Sequence, residues 1–189
     1  MKGKLTMFQN KVLSLLFLII IPLAANAQLK DGDNLLGFSI GLGLYPDGRG
    51  PTFGANFESQ LTQVGIGTLS LGGVFRYYSF TVLYSNGDSR RVTFTTFGVQ
   101  SNYNFNEIGN GKFVPFVGLV VGYNNISDTY TDVRKSGIIV YDFRHHSGAW
   151  LWGQAGFRYF FSPSVAGAVR LGFGNFEFNA LEIGVDFKL

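Results

Sequence analysis

The sequence predicts an all-β fold, an eight-stranded antiparallel up-and-down transmembrane β-barrel. Three observations carry this. At the C-terminus Leu181, Ile183, Val185, Phe187 and Leu189 alternate with Glu182, Gly184, Asp186 and Lys188. A period of two belongs to an extended strand with unlike faces. Similar alternation recurs through most of the preceding chain, and charged residues make up only 14% of it, against about 25% in ordinary soluble domains.

The first 27 residues read as a cleaved signal peptide. Lys2, Lys4 and Lys11 precede an apolar run from Val12 to Ile21, and Ala25-Asn26-Ala27 is a small-x-small cleavage site, the three-part pattern of secretion. The run is shorter than the ~20 residues of a spanning helix. Residues 28–189 then form one barrel domain, and the expected location is the cell outer membrane. Without the signal the chain carries 12 basic and 12 acidic residues, so its high isoelectric point is no argument for nucleic-acid binding. Cysteine is absent, and no disulfide framework is used.

The strands follow in order. The first spans about Leu36 to Tyr45, with Phe38, Ile40 and Leu42 opposite Ser39, Gly41 and Gly43, and the Pro46 to Pro51 cluster is a turn. The second, Thr52 to Leu61, sets Phe53, Ala55 and Phe57 against Gly54, Asn56 and Glu58. The third, near Ile66 to Phe80, contains Gly72-Gly73, where a bulge or sharp bend is expected. After the polar stretch 85–91 a fourth strand runs to Phe105, and a short connection covers 106–112. The fifth places Val117, Leu119, Val121 and Tyr123 opposite Gly118, Gly122 and Asn124. The longest connection, about Ser127 to His146, follows, in which Ile138 to Phe143 could extend the wall as a ribbon. The sixth strand sets Leu151, Ala155, Phe157 and Tyr159 against Trp150, Trp152, Gln154 and Arg158. The turn Ser162-Pro163-Ser164 leads to a seventh, Val165 to Phe173, and the C-terminal strand is the eighth. An even number brings both termini to one end, with short turns there and longer loops at the other, the pattern of membrane barrels.

The polar face decides which side is wet. A surface in water carries many charges of both signs, whereas here it is mostly Gly, Ser, Thr, Asn and Gln with isolated ions. Such residues suit a narrow lumen, and the Phe, Val, Leu and Ile face then meets lipid. Aromatic belts are expected from Tyr45, Tyr77, Tyr78, Phe80 and Tyr123 at the outer end, and from Phe105, Phe113, Tyr159, Phe161 and Phe187 at the inner end.

With its signal peptide, "FVPFVGLVVGY" (113–123), "GFRYFFSPS" (156–164) and the alternating C-terminus, the chain resembles the small outer-membrane barrel, or porin, family of Gram-negative bacteria that includes the OmpA transmembrane domain, OmpX and OmpW. The resemblance covers nearly all of the mature chain. It implies outer-membrane lipid and lipopolysaccharide as surroundings and the barrel-insertion machinery as a partner in biogenesis. Many such chains end in Phe or Trp; this one ends in Leu189, with Phe187 two residues earlier.

The candidate sites are three. Glu58, Arg76, Arg158, Arg170 and Glu182 lie on lumen-facing positions and form a charge network, since a buried ion requires a partner; if the last hairpin turns near Phe176, Arg170 faces Glu182. The network is either a structural polar core or the filter of a narrow pore. Arg90, Arg91, Arg134, Lys135 and Arg144, in or beside outer loops, are candidates for lipopolysaccharide phosphates. His145 and Ser147 resemble the base and nucleophile of PagL-like lipid A deacylases, also eight-stranded barrels. No acid stands where that family's downstream Glu would fall, and Gly148 replaces its Asn. Asp128, Asp132 and Asp142 fit no EF-hand spacing; neither a metal nor a cofactor is expected. The leading function is a non-enzymatic barrel with a structural, envelope-integrity or surface-interaction role through its outer loops, with a possible surface partner there. The alternatives are a narrow passive pore and a lipid A deacylase.

Overall fold

The computed structural model describes residues 29–45, 48–85, 87–108, 111–132, 137–139, 147–175 and 179–189. The expected signal peptide lies outside them. Among the described residues nine strands are present: β1 (Asn34–Tyr45), β2 (Gly48–Val64), β3 (Gly67–Leu83), β4 (Ser89–Asn104), β5 (Phe113–Asp132), β6 (Gly137–Ile139), β7 (Gly148–Ser162), β8 (Val165–Gly174) and β9 (Asn179–Lys188). Each of the eight long strands pairs antiparallel with its neighbours in the order β1-β2-β3-β4-β5-β7-β8-β9, and β9 pairs back onto β1. The sheet is closed, and no long edge is left to face hydrocarbon. The three-residue β6 adds to the tip of β5, pairing 137–139 with 130–132.

Parity sorts the side chains. On β5 the outward residues Val117, Leu119 and Val121 are 48%, 61% and 61% exposed, while the inward Val114, Phe116 and Val120 are at most 1% exposed. The outward apolar run from Phe113 to Tyr123 spans about 25 Å at ~3.3 Å per residue and a tilt of ~40°. That equals the apolar height of an outer-membrane barrel. Exposed aromatics mark both ends: Tyr77 and Tyr123 at the outer end, Phe113, Tyr159, Phe161 and Phe187 at the inner.

Two expected belt residues face the other way. Tyr78 and Phe80 are 1% and 5% exposed and lie in the lumen. Adjacent residues of a strand take opposite faces, so of Tyr77-Tyr78 only one reaches the exterior.

The expected bulge at Gly72-Gly73 is also corrected. Register is unbroken there, and the shifts fall at Gln60/Thr62 and Phe160/Ser162. The inserted Leu61 and Phe161 both face outward at the inner end. Gly72 serves close approach instead, since a Cβ on it would stand 1.8 Å from the Phe57 carbonyl oxygen. Gly72→Ala is therefore expected to lower stability by about 3 kcal/mol, the upper range for overpacking, read as the urea midpoint of the refolded barrel.

The fifth strand is longer than its sequence suggested, continuing to Asp132 where a loop was expected from Ser127. The reason is a change of polarity. Beyond Tyr123 the outward residues are Asn125, Ser127 and Thr129, and the inward ones include Ile126. A strand with its faces exchanged does not continue the pattern below it. Neighbouring strands do the same: above Tyr77, β3 turns Ser79 and Thr81 outward and Phe80 inward, and β4 turns Arg91, Thr93 and Thr95 outward while Val92 and Phe94 are buried. On β3 to β5 the outward face is therefore apolar below this level and mostly polar above it, where apolar side chains turn inward instead.

At the inner end the chain before β1 closes the mouth. Leu29 is 2% exposed, packed with Leu35, Val114, Phe160 and Ala166. The Asn106 side-chain amide donates to the Leu29 carbonyl at 3.0 Å. Lys188 pairs with Asp33 at 2.5 Å, tying the last strand to this segment.

Candidate functional site

The lumen is filled in layers above the Leu29 cluster. In the lower layer, Arg158 reaches Glu58 at 2.8 Å and Asp186 at 2.6 Å. Glu58 also accepts from Asn102 at 2.5 Å, Asn104 at 3.0 Å and Gln60 at 3.2 Å. In the next layer Glu182 takes Arg76 at 2.6 Å, Arg170 at 3.3 Å and the Ser39 hydroxyl at 3.1 Å. Arg170 lies 4.0 Å from Asp186 and joins the two groups. The Arg158 and Arg170 guanidiniums stand 4.5 and 5.6 Å from the Phe116 ring centroid. All six ions are at most 2% exposed.

The structure thus brings together the five lumen residues read from the sequence, with Arg170 in register with Glu182. Asp186 completes them. Its signal was available, because it shares the parity of Glu182 and the five alone hold three cations against two acids. With Asp186 the network is three against three, the condition under which buried ions are tolerated.

Above the ions the lumen is aromatic, not the small polar filling that composition suggested. Trp150 and Trp152 stack with centroids 5.2 Å apart, and Tyr78 lies 5.6 Å from Phe94 and 5.5 Å from Phe80. Arg76, 5.7 Å from the Trp152 centroid, joins this layer to the ions. Gly172 leaves room for the indole, since a Cβ there would fall 1.8 Å from Trp152 Cζ2.

At the rim, Arg90 grips both carboxylate oxygens of Asp128 at 2.6 to 3.0 Å, and those hydrogen bonds raise its pKa above the ordinary value. Tyr130 donates to Asp88 at 2.5 Å. Arg90 is therefore turned inward and engaged, whereas Arg91 is exposed on the outer wall. Arg134, Lys135, Arg144 and His145 lie outside the described residues. The Ser147 hydroxyl accepts from the Ile126 amide at 2.9 Å and donates to Asn125 Oδ1 at 3.3 Å, so it joins β7 to β5. Among the described residues no three His, Cys, Asp or Glu side chains form a metal cluster.

No protein-family model and no curated protein matches the chain. Solved structures do. Ail, the attachment invasion locus protein of Yersinia pestis, in complex with the heparin analogue sucrose octasulfate, is similar with a TM-score of 0.56 at 9% identity, covering 85% of this chain and 100% of that one. Neisserial surface protein A gives 0.54 at 13% identity over 83% and 96%. The chain has the fold of the small outer-membrane barrels. That architecture needs little shared sequence: a designed transmembrane β-barrel matches with a TM-score of 0.52 at 15% identity, over 86% of this chain and 99% of that one.

Proposed function

We propose that this chain is a non-enzymatic outer-membrane barrel, exported by a cleaved signal, that adds a rigid wall to the envelope and meets its surroundings through its outer rim and loops. The carrying observation is the filled lumen. From Leu29 through the ion pairs to Trp152 and Phe94, successive layers hold side chains at most 2% exposed, an arrangement that favours a sealed plug over a passive pore. A nucleophilic Ser147 is disfavoured because its hydroxyl is held in place between the Asn125 side chain, to which it donates, and the Ile126 amide, from which it accepts.

The refolded barrel is expected to give no stepwise conductance in planar bilayers and no swelling of sugar-loaded liposomes. Steady channel openings would replace this reading with the pore. Fatty acid released from lipid A, abolished by Ser147→Ala, would replace it with the enzyme.

A further inference from the structure

The change of polarity along β3, β4 and β5 leaves a sheet face above the apolar band, and the registers fix its layout. Tyr77, Thr95 and Asn125 form one cross-strand row, Ser79, Thr93 and Ser127 the next, and Thr81, Arg91 and Thr129 the third. Facing pairs stand about 4.5–5.5 Å apart at Cβ, so the rows make a continuous plaque of hydroxyls and amides with one guanidinium at its upper centre. The Ser79 and Thr93 hydroxyls lie 3.1 Å apart.

Charge is sorted across the same stretch of wall. Asp88 and Asp128 are turned inward, 5% and 9% exposed, and bonded to Tyr130 and Arg90. The outward rows hold no carboxylate, and Arg91 is exposed with no ion pair among the described residues. The plaque begins where Tyr77 and Tyr123 end the apolar surface, at the height of lipid headgroups.

We propose that this plaque is a docking face for the phosphorylated sugar headgroup of a glycolipid in the surrounding leaflet, with Arg91 on a phosphate and the hydroxyl rows on the sugars. A planar, forked guanidinium suits a phosphate. Hydroxyls that both donate and accept suit sugar hydroxyls. Continuity with the apolar band selects a lipid over a free anion, because an acyl chain on the outward face of β3 to β5 brings its headgroup to these rows. The inference rests on the outer-membrane reading proposed above.

The test uses the refolded mature chain in detergent and native mass spectrometry with bisphosphorylated lipid A, its dephosphorylated form and inorganic phosphate. Wild type is expected to retain bisphosphorylated lipid A. Arg91→Gln should weaken it at least about tenfold, the loss of one hydrogen-bonded charge, and Thr93→Val with Ser127→Ala should weaken both lipid forms. Unchanged heat-shifted gel mobility of the variants certifies that each is folded. Equal binding by Arg91→Gln and wild type, no retention by wild type, or displacement by millimolar inorganic phosphate would each overturn the docking face. Fractionation of cells with the inner membrane would overturn the outer-membrane reading instead, so the two failures are distinguishable.

Discussion

Arg158→Leu is expected to destabilise the folded barrel by about 3–5 kcal/mol, the penalty for breaking a buried ion pair from one side. The substitution removes the cation that Glu58 and Asp186 share and leaves two buried carboxylates close together. Asp186→Asn alone should also be harmful, since it gives the network one surplus positive charge. Together the two changes should harm less than their sum. Glu58 then keeps Asn102, Asn104 and Gln60 as donors, Arg170 keeps Glu182, and neutrality returns. A coupling above about 1 kcal/mol is expected for residues in one network, measured as urea midpoints in lipid vesicles by the shift in gel mobility on boiling. Strict additivity would show that Arg158 and Asp186 do not act as a unit.

Trp152→Ala should lower stability by about 3–5 kcal/mol, as for other large aromatics removed from a packed interior. The indole fills the lumen between the ions and the outer aromatic layer, against Trp150 and above Arg76. Gly172 gives an internal control. In the native background Gly172→Ala is expected to lose about 3 kcal/mol by overpacking, because its methyl would enter the ring; in Trp152→Ala that loss should vanish. Trp150 is then the one remaining tryptophan, and its emission should move to longer wavelength as water enters. A native-like emission and midpoint would mean that the indole is not part of the seal.

Much of this was legible from alternation. The eight long strands, the outward and inward parity, and the Arg170–Glu182 register followed from a period of two and the place of one turn. What escaped was whatever parity alone does not encode. Alternation separates two faces without naming the medium beyond each, so the exchange of faces beyond Tyr123 resembles the start of a loop at Ser127. Residue type alone places Tyr78 and Phe80 in a belt, whereas their parity turns them inward. Leu29 carries no periodic signal, and its burial is visible only once the mouth it fills exists. The bulges at Leu61 and Phe161 lie between residues that read as uninterrupted strand. For the rim, Arg90 and Arg91 were indistinguishable as adjacent cations until the fold turned one toward Asp128.

The equal count of positive and negative groups inside the wall has an electrical meaning. A field applied along the barrel axis pulls the three guanidiniums one way and the three carboxylates the other, and the resultant force on the set is zero. Voltage therefore has no handle with which to slide this plug as a body, and the seal should be as tight in a polarised bilayer as in an unpolarised one.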